Sequence, residues 1–176
     1  AGISVESGIP DFRSAGGLWE RYPIQEYGTL TAFRDNPGKV WEMLADMAGV
    51  ISRAKPNPGH KGLARLEKLG VLQGIITQNI DNLHQEGGAE KVIEFHGNAN
   101  FFTCLWCGLQ FGTDDVKRRF PPKCTCGQIL KPDIVFFGES IPLKALHESQ
   151  ELAASCEVLL VIGTSAQVFP AAAIPS

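Results

Sequence analysis

Three groups of side chains in this sequence have types and spacings suited to chemistry. The first is Thr77-Gln78-Asn79-Ile80-Asp81, followed at a distance by His96-Gly97. Ahead of it, Val71-Leu72-Gln73-Gly74-Ile75-Ile76 follows the turn glycine Gly70 and reads as a buried strand. In an open α/β sheet ligands sit at the carboxyl ends of strands, so this polar cluster should face a crevice. A second strand, Val92-Ile93-Glu94-Phe95, ends on His96 and brings an imidazole to the same edge. Taken singly, Asn79 or Asp81 is equally readable as a helix cap and His96 as a satisfied turn residue; as a set they point to a site.

The second group is Cys104-Leu105-Trp106-Cys107 and Cys124-Thr125-Cys126-Gly127. Paired cysteines beside the turn glycines Gly108 and Gly127 have the layout of a structural zinc ribbon, whose four thiolates close a tetrahedron and leave no open position. The second pair departs from the usual pattern in having one intervening residue, and free or redox-active thiols are the alternative. The segment between the pairs is short and polar, so metal should supply its folding energy. The fifth cysteine, Cys156, reads as a small buried residue.

The third group is made of small residues at two loops. Ala1-Gly2-Ile3-Ser4 would let backbone amides approach a phosphate, with a helix starting near Ser4 aimed at it. Gly8 and Pro10 break that helix, and Asp11-Phe12-Arg13 then leads into Ser14-Ala15-Gly16-Gly17, a loop that could order over a ligand. Gly163-Thr164-Ser165 ends the apolar run Val158–Ile162, again a place for phosphate or ribose, or a plain strand-helix turn.

The elements that position these groups alternate helix and strand, which predicts a parallel sheet. From 18 to 54 the pattern is helical. Asn36 and Pro37 suit a cap and first turn, and Val40, Trp41, Leu44, Met47, Ala48 and Ile51 form an apolar stripe. Residues 55–59 read as a connector; Leu63, Leu66 and Leu69 mark the next helix, closed by Gly70. Val135-Phe136-Phe137 reads as a buried strand ending on Gly138, a helix fills 142–155, and Val158–Ile162 is another buried strand.

The totals exclude several classes. At 176 residues the prior is one domain, or one with a small insert, and 44% hydrophobic content is ordinary for a chain that buries a core. A net charge of −3 argues against a nucleic-acid surface, Lys117-Arg118-Arg119 being the one basic run. No stretch approaches the roughly 20 apolar residues that span a bilayer. Five cysteines without secretory features suggest a reducing compartment, hence the cytoplasm. Both ends read as cut, because the opening glycine loop lacks a leading strand and the sequence stops where a helix should begin after Pro170.

The motifs AGISVESGIPDFR (1–13), TQNIDNLH (77–84), FHG (95–97), the paired cysteines, VFFGE (135–139) and GTS (163–165) occur in this order over nearly the whole chain. Together they closely resemble the sirtuins, NAD-dependent protein deacylases. The resemblance implies an α/β fold: a Rossmann-like NAD-binding domain (1–19, 55–97 and 130–176, incomplete), with a helical module (20–54) and a zinc-ribbon module (98–129) inserted. It implies that Ala1, Gly2 and Ile3 line the dinucleotide and that Asp11, Phe12 and Arg13 belong to a loop over the nicotinamide ribose, Phe12 shielding the reacting carbon. Gln78, Asn79, Ile80 and Asp81 would border the nicotinamide and ribose, with Asp81 on the carboxamide, and Gly163, Thr164 and Ser165 would meet the phosphate or adenosine side. Val135, Phe136, Phe137, Gly138 and Glu139, with Val168, would bind acyl-lysine and pair with the substrate backbone. His96, as general base on a ribose hydroxyl, and Asn79 take the catalytic roles. Cys104, Cys107, Cys124 and Cys126 would hold zinc.

The expected activity is removal of acetyl from lysine of a protein or peptide, releasing nicotinamide and O-acetyl-ADP-ribose, with no nucleic-acid or membrane partner. Sirtuins that remove succinyl or malonyl groups resemble one another in a Tyr-x-x-Arg pair, where this sequence has Leu44 and Met47, so uncharged acyl groups are expected. The alternatives are protein ADP-ribosylation and a catalytically incomplete fragment that only binds NAD or peptide. A Rossmann oxidoreductase has no use for His96 or the ribbon.

Overall fold

The computed structural model describes residues 2–11, 17–116 and 120–175. After a 3-10 helix at Gly2–Ser7, three short helices, α1 (Leu18–Arg21), α2 (Ile24–Tyr27) and α3 (Leu30–Asp35), precede α4 (Pro37–Ile51) and α5 (Pro58–Lys68). The chain continues through β1 (Ile75–Thr77), α6 (Leu83–Glu86), β2 (Val92–Glu94), β3 (Gly97–Thr103), β4 (Gln110–Gly112), β5 (Lys131–Ile134) and α7 (Leu143–Ser155). Strands β1 and β2 pair in parallel, Ile75 opposite Val92 and Thr77 opposite Glu94. The other sheet is antiparallel in the order β4-β3-β5.

The longer helices start where the sequence predicts. The Asn36 side chain accepts the Lys39 N–H at 3.0 Å with Pro37 in the first turn of α4, satisfying donors the helix cannot. Asn57 opens α5 with a reciprocal capping box to His60, so Pro58 and Gly59 belong to the helix rather than to a connector. Gly70 follows α5 with φ +74°, the left-handed conformation a helix terminus favours. On α5, however, burial falls on His60 and Ala64, while Leu66 and Leu69 are exposed.

The main core is shared by the helices and the ribbon. Tyr22, Phe33, Val40, Trp41, Met43 and Leu44 pack with Phe102, Cys104, Cys124, Leu130, Ile134 and Phe136. Trp41 joins the halves: its Nε1–H donates to the Leu130 carbonyl at 2.9 Å and its ring lies 6.1 Å from that of Phe102. Truncating such a side chain costs about 3–5 kcal/mol. The segment between the cysteine pairs leans on this core through the partly buried Phe111 and Val116 rather than on a core of its own. A smaller cluster of Ala64, Ile75 and Ala89 lies under the parallel pair.

Three expected strands differ. The first is shorter than predicted: Val71 is 70% exposed in the turn after α5, and pairing starts at Ile75. Val135-Phe136-Phe137 is not the strand in its region. The ladder lies immediately before it, in β5, where Phe102 opposes Pro132 and Thr103 opposes Lys131; Phe137 instead makes one parallel bridge to Thr29. Val158–Ile162 forms no strand, and Val158 and Leu160 are 83% and 63% exposed. An apolar run becomes a strand only by hydrogen bonding to a neighbour, and among the described residues none pairs with it. No helix among those residues is long and apolar enough to cross a membrane.

Candidate active site

The end of β1 is where polar groups converge. Thr77 Oγ1 accepts the Asn79 N–H at 3.1 Å, turning the chain sharply off the strand. Asp81, 6% exposed, uses both carboxylate oxygens. Oδ1 accepts the Leu83 N–H at 3.0 Å, capping α6, and Oδ2 accepts Ser4 Oγ–H at 2.6 Å and Asn79 Nδ2–H at 3.2 Å. Asn79 Nδ2 also donates to Ser4 Oγ at 3.0 Å. Asp81 thus ties the first N–H of α6 to the same carboxylate that gathers Ser4 and Asn79.

Ser4 and His60 are the members of this network that sequence reasoning missed as site residues. Ser4 is fully buried and links the first turn of the chain to Asp81. His60 Nδ1 accepts the Asn57 N–H, so its Nε2 carries the proton and faces Ser4 Oγ at 3.4 Å. Asn57 Nδ2 donates to the Ile3 carbonyl at 2.8 Å and to Ser7 Oγ at 3.0 Å, fixing the first turn against α5. The Asn57/His60 capping-box spacing is readable in sequence; the reach to Ser4 across 56 positions is not. His84 packs edge-on against His60 with ring centroids 4.8 Å apart. Burial pushes both imidazoles below the ordinary 6.5 and keeps them neutral.

His96 lies where β2 ends and β3 begins. Phe95 N–H donates to the Thr77 carbonyl, continuing the parallel pairing, and Val135 N–H donates to the His96 carbonyl at 2.8 Å. Gly97 turns with φ +69°, and a Cβ there would lie 2.1 Å from the Asp133 carbonyl oxygen, so only glycine fits. His96 Nδ1 is 3.1 Å from the Gln78 carbonyl, which can only accept, so Nδ1 carries the proton and Nε2 is the free base. Burial lowers its pKa from 6.5, partly offset by that hydrogen bond.

One cavity of about 470 Å³ collects these groups. Gly2, Asp11, Gln78, Asn79, Ile80, Asp81, His96, Gly163, Thr164 and Ser165 all line it, as do Val135, Phe136, Phe137, Gly138, Glu139 and Val168. Ile3 is not among the lining residues, and Ala1, Phe12 and Arg13 lie outside the described residues. Gly2 N–H donates to the Gly163 carbonyl at 2.9 Å, and a Cβ on Gly163 would sit 2.4 Å from the Ile3 nitrogen. Two loops far apart in sequence thus meet backbone to backbone, and Gln78 Nε2 reaches Thr164 Oγ1 at 3.3 Å. Met43, Leu44, Met47 and Ile51 of α4 supply an apolar wall to the same cavity.

The four paired cysteines come together, with Sγ atoms all within 4.8 Å of one another. Cys104 and Cys126 are 3.6 Å apart and Cys107 and Cys124 3.5 Å. A tetrahedron of thiolates at about 2.3 Å from zinc has edges of about 3.8 Å, so the set fits that ion. Gly108 (φ +75°) and Gly127 (φ +89°) fold the two turns, and the Cys126 N–H pulls the Cys124 thiol down to about 6.

The Sir2 family profile matches residues 1–170. The chain belongs to the Sir2 family. A Thermococcus sibiricus NAD-dependent protein deacylase is 48% identical over 183 aligned positions, covering 99% of this Sir2 chain and 72% of the relative. A mutant Sir2 homologue in complex with ADP-ribose superimposes with a TM-score of 0.92 at 41% identity, covering 99% of this chain and 71% of that one. A Sir2 protein with a deacetylated p53 peptide and 3′-O-acetyl ADP-ribose gives 0.92 at 38% identity, covering 99% and 73%. The α/β fold with its parallel strands and cysteine cluster is the Sir2 fold.

Proposed function

We propose that this chain is an NAD-dependent protein lysine deacetylase with His96 as its general base. The observation that carries the reading is the anchored imidazole: Nδ1 is committed to the Gln78 carbonyl, leaving an unprotonated Nε2 on a residue that lines the cavity. The relatives support it, since one is named a deacylase and another is bound to a deacetylated peptide and an acetylated ADP-ribose.

NAD would supply an activated glycosidic bond: the acetyl-lysine oxygen displaces nicotinamide, the amide C–N bond then breaks to free the lysine amine, and one water completes the acetyl ester on ADP-ribose. Gly2, Gly163, Thr164 and Ser165 hold the dinucleotide, Asn79 and Asp81 border nicotinamide and ribose, and His96 Nε2 takes the proton from a ribose hydroxyl. Phe136, Val135 and Val168 surround the acyl-lysine, and the cavity walls keep water from the reacting carbon. Met43, Leu44, Met47 and Ile51 face the acyl group without a cation among them, which favours acetyl and other uncharged acyl groups. The cysteines hold a structural zinc that takes no part in the reaction. The NAD-binding parts (1–19, 55–97, 130–176) flank a helical module (20–54) and the ribbon (98–129), and free thiols kept for metal fit a cytoplasmic location.

The test is an acetyl-lysine peptide assay with and without NAD, using labelled NAD and mass analysis. Nicotinamide and O-acetyl-ADP-ribose are the expected products. Label transferred to protein instead would establish ADP-ribosylation and overturn the reading.

A further inference from the structure

The loop after β5 is built around a buried ion pair that the proposed chemistry does not use. Lys131 is 6% exposed and lies at the start of the strand, yet its ammonium has all three protons placed. It meets Glu139 Oε2 at 3.0 Å, the Ile134 carbonyl at 2.8 Å and the Pro132 carbonyl at 3.0 Å. The same Glu139 oxygen accepts the Phe136 N–H at 2.7 Å, and Glu139 N–H donates to the Phe136 carbonyl at 3.0 Å. The ammonium also lies 5.0 Å from the Phe136 ring centroid.

These bonds close a ring from residue 131 to 139 and force out the turn at Phe137-Gly138, where Gly138 has φ +87°. The turn is tied on both flanks. Val135 N–H holds the His96 carbonyl, while Phe137 N–H donates to the Gly28 carbonyl and its own carbonyl accepts the Leu30 N–H. Glu139 lines the cavity, but its Oε2 is committed inward, to Lys131 and the Phe136 N–H.

We propose that Lys131 and Glu139 form a clamp that fixes the shape of residues 135–138, making both of them positioning residues for the acyl-lysine peptide. Glu139 then acts through the loop rather than by touching substrate, as its place in the 135–139 motif first suggests. The inference rests on the deacetylase reading, since the loop is assigned there to the peptide.

Lys131→Met separates the two roles. If Glu139 touched the peptide itself, removing Lys131 would leave that contact in place; as half of a clamp, Lys131 matters as much as Glu139. The measurements are anisotropy of a labelled acetyl-lysine peptide, steady-state KM for peptide and for NAD, and thermal melting, on Lys131→Met, Glu139→Gln and the double variant. A lone buried charge is destabilising, so the singles melt earlier and the double, with no unpaired charge, recovers. All three are expected to weaken peptide binding by about tenfold without multiplying in the double, with KM for NAD unchanged. Peptide binding within about twofold of the parent in Lys131→Met, losses that multiply in the double, or binding that recovers together with melting overturns the clamp. Wild-type peptide binding without NAD-dependent turnover sinks the deacetylase reading alone, and no binding by wild type sinks both.

Discussion

The two walls of the cavity are built on opposite principles. On the Asp81 side polar groups hold one another in place: Ser4, Asn79 and the Leu83 N–H all converge on one carboxylate, and His96 Nδ1 is held by a carbonyl. On the α4 side the wall is Met43, Leu44, Met47 and Ile51, which touch by shape alone and include two flexible thioethers. The first wall has one geometry and suits a reaction whose atoms must be placed closely. The second adapts, and in the proposed reaction it would select by excluding charge. On the proposed reading, chemistry and selectivity would be supplied by different physics, on different segments of the chain.

The largest test of that separation is metal removal. The ribbon shares its core with α4, so chelation should dismantle the apolar wall and the ribbon together, with a melting transition that falls steeply and early; structural zinc sites contribute on the order of 10 kcal/mol. A melting curve unmoved by chelator would show that the walls do not depend on the thiolate cluster. Next is His96→Ala, which should lower kcat by about 10²–10⁴ while leaving melting and zinc content in place; near-normal turnover would remove the base from the polar wall. Asp81→Asn takes away the charge that orders Ser4 and Asn79 and should raise KM for NAD more than KM for peptide, with about 1.5–3 kcal/mol of stability lost. On the other wall, succinyl-lysine peptide should turn over at least about tenfold more slowly than acetyl-lysine, because its carboxylate would be buried unpaired. A faster rate on succinyl-lysine would mean the apolar wall does not select against charge.

The smallest effect is with pH, and its sign follows from burial. His60, His84 and His96 all have folded pKa values below the ordinary 6.5, chiefly from desolvation. The stability that comes from keeping them neutral is complete above about 6.5 and is lost as pH falls through the lower folded values. The activity profile should follow in the same direction: flat through neutrality, with its acid limb displaced below 6.5 as His96 Nε2 protonates, and with that limb missing in any residual rate of His96→Ala. A limb above 6.5 would contradict the buried environment.

Much of this was readable in the residues. Asn36-Pro37 announced α4, its 3.6-residue stripe announced the buried face, and the cysteine spacing announced the cluster, because each depends on neighbours along the chain. The polar edge at Thr77–Asp81 and His96 was legible for the same reason: two short strands end there. What sequence could not supply was partnership across distance. Ser4 looked like a helix start until Asp81, 77 positions away, claimed its proton. Val158–Ile162 and Val135–Phe137 looked like strands because apolar runs usually are; whether they pair is decided by other segments, and here the ladder went to Lys131–Ile134 despite Pro132.

Trp41 carries a practical consequence. Its indole is 4% exposed at the seam between α4 and the ribbon, whereas Trp106, on the turn between the first two cysteines, is 82% exposed. An aqueous quencher such as iodide reaches the second and not the first, so once the half-buried Trp19 is replaced by Phe the shielded fraction of the emission reads the seam. Loss of the metal would register as that fraction becoming quenchable, an optical signal of the contact between α4 and the ribbon that requires no label, no substrate and no turnover.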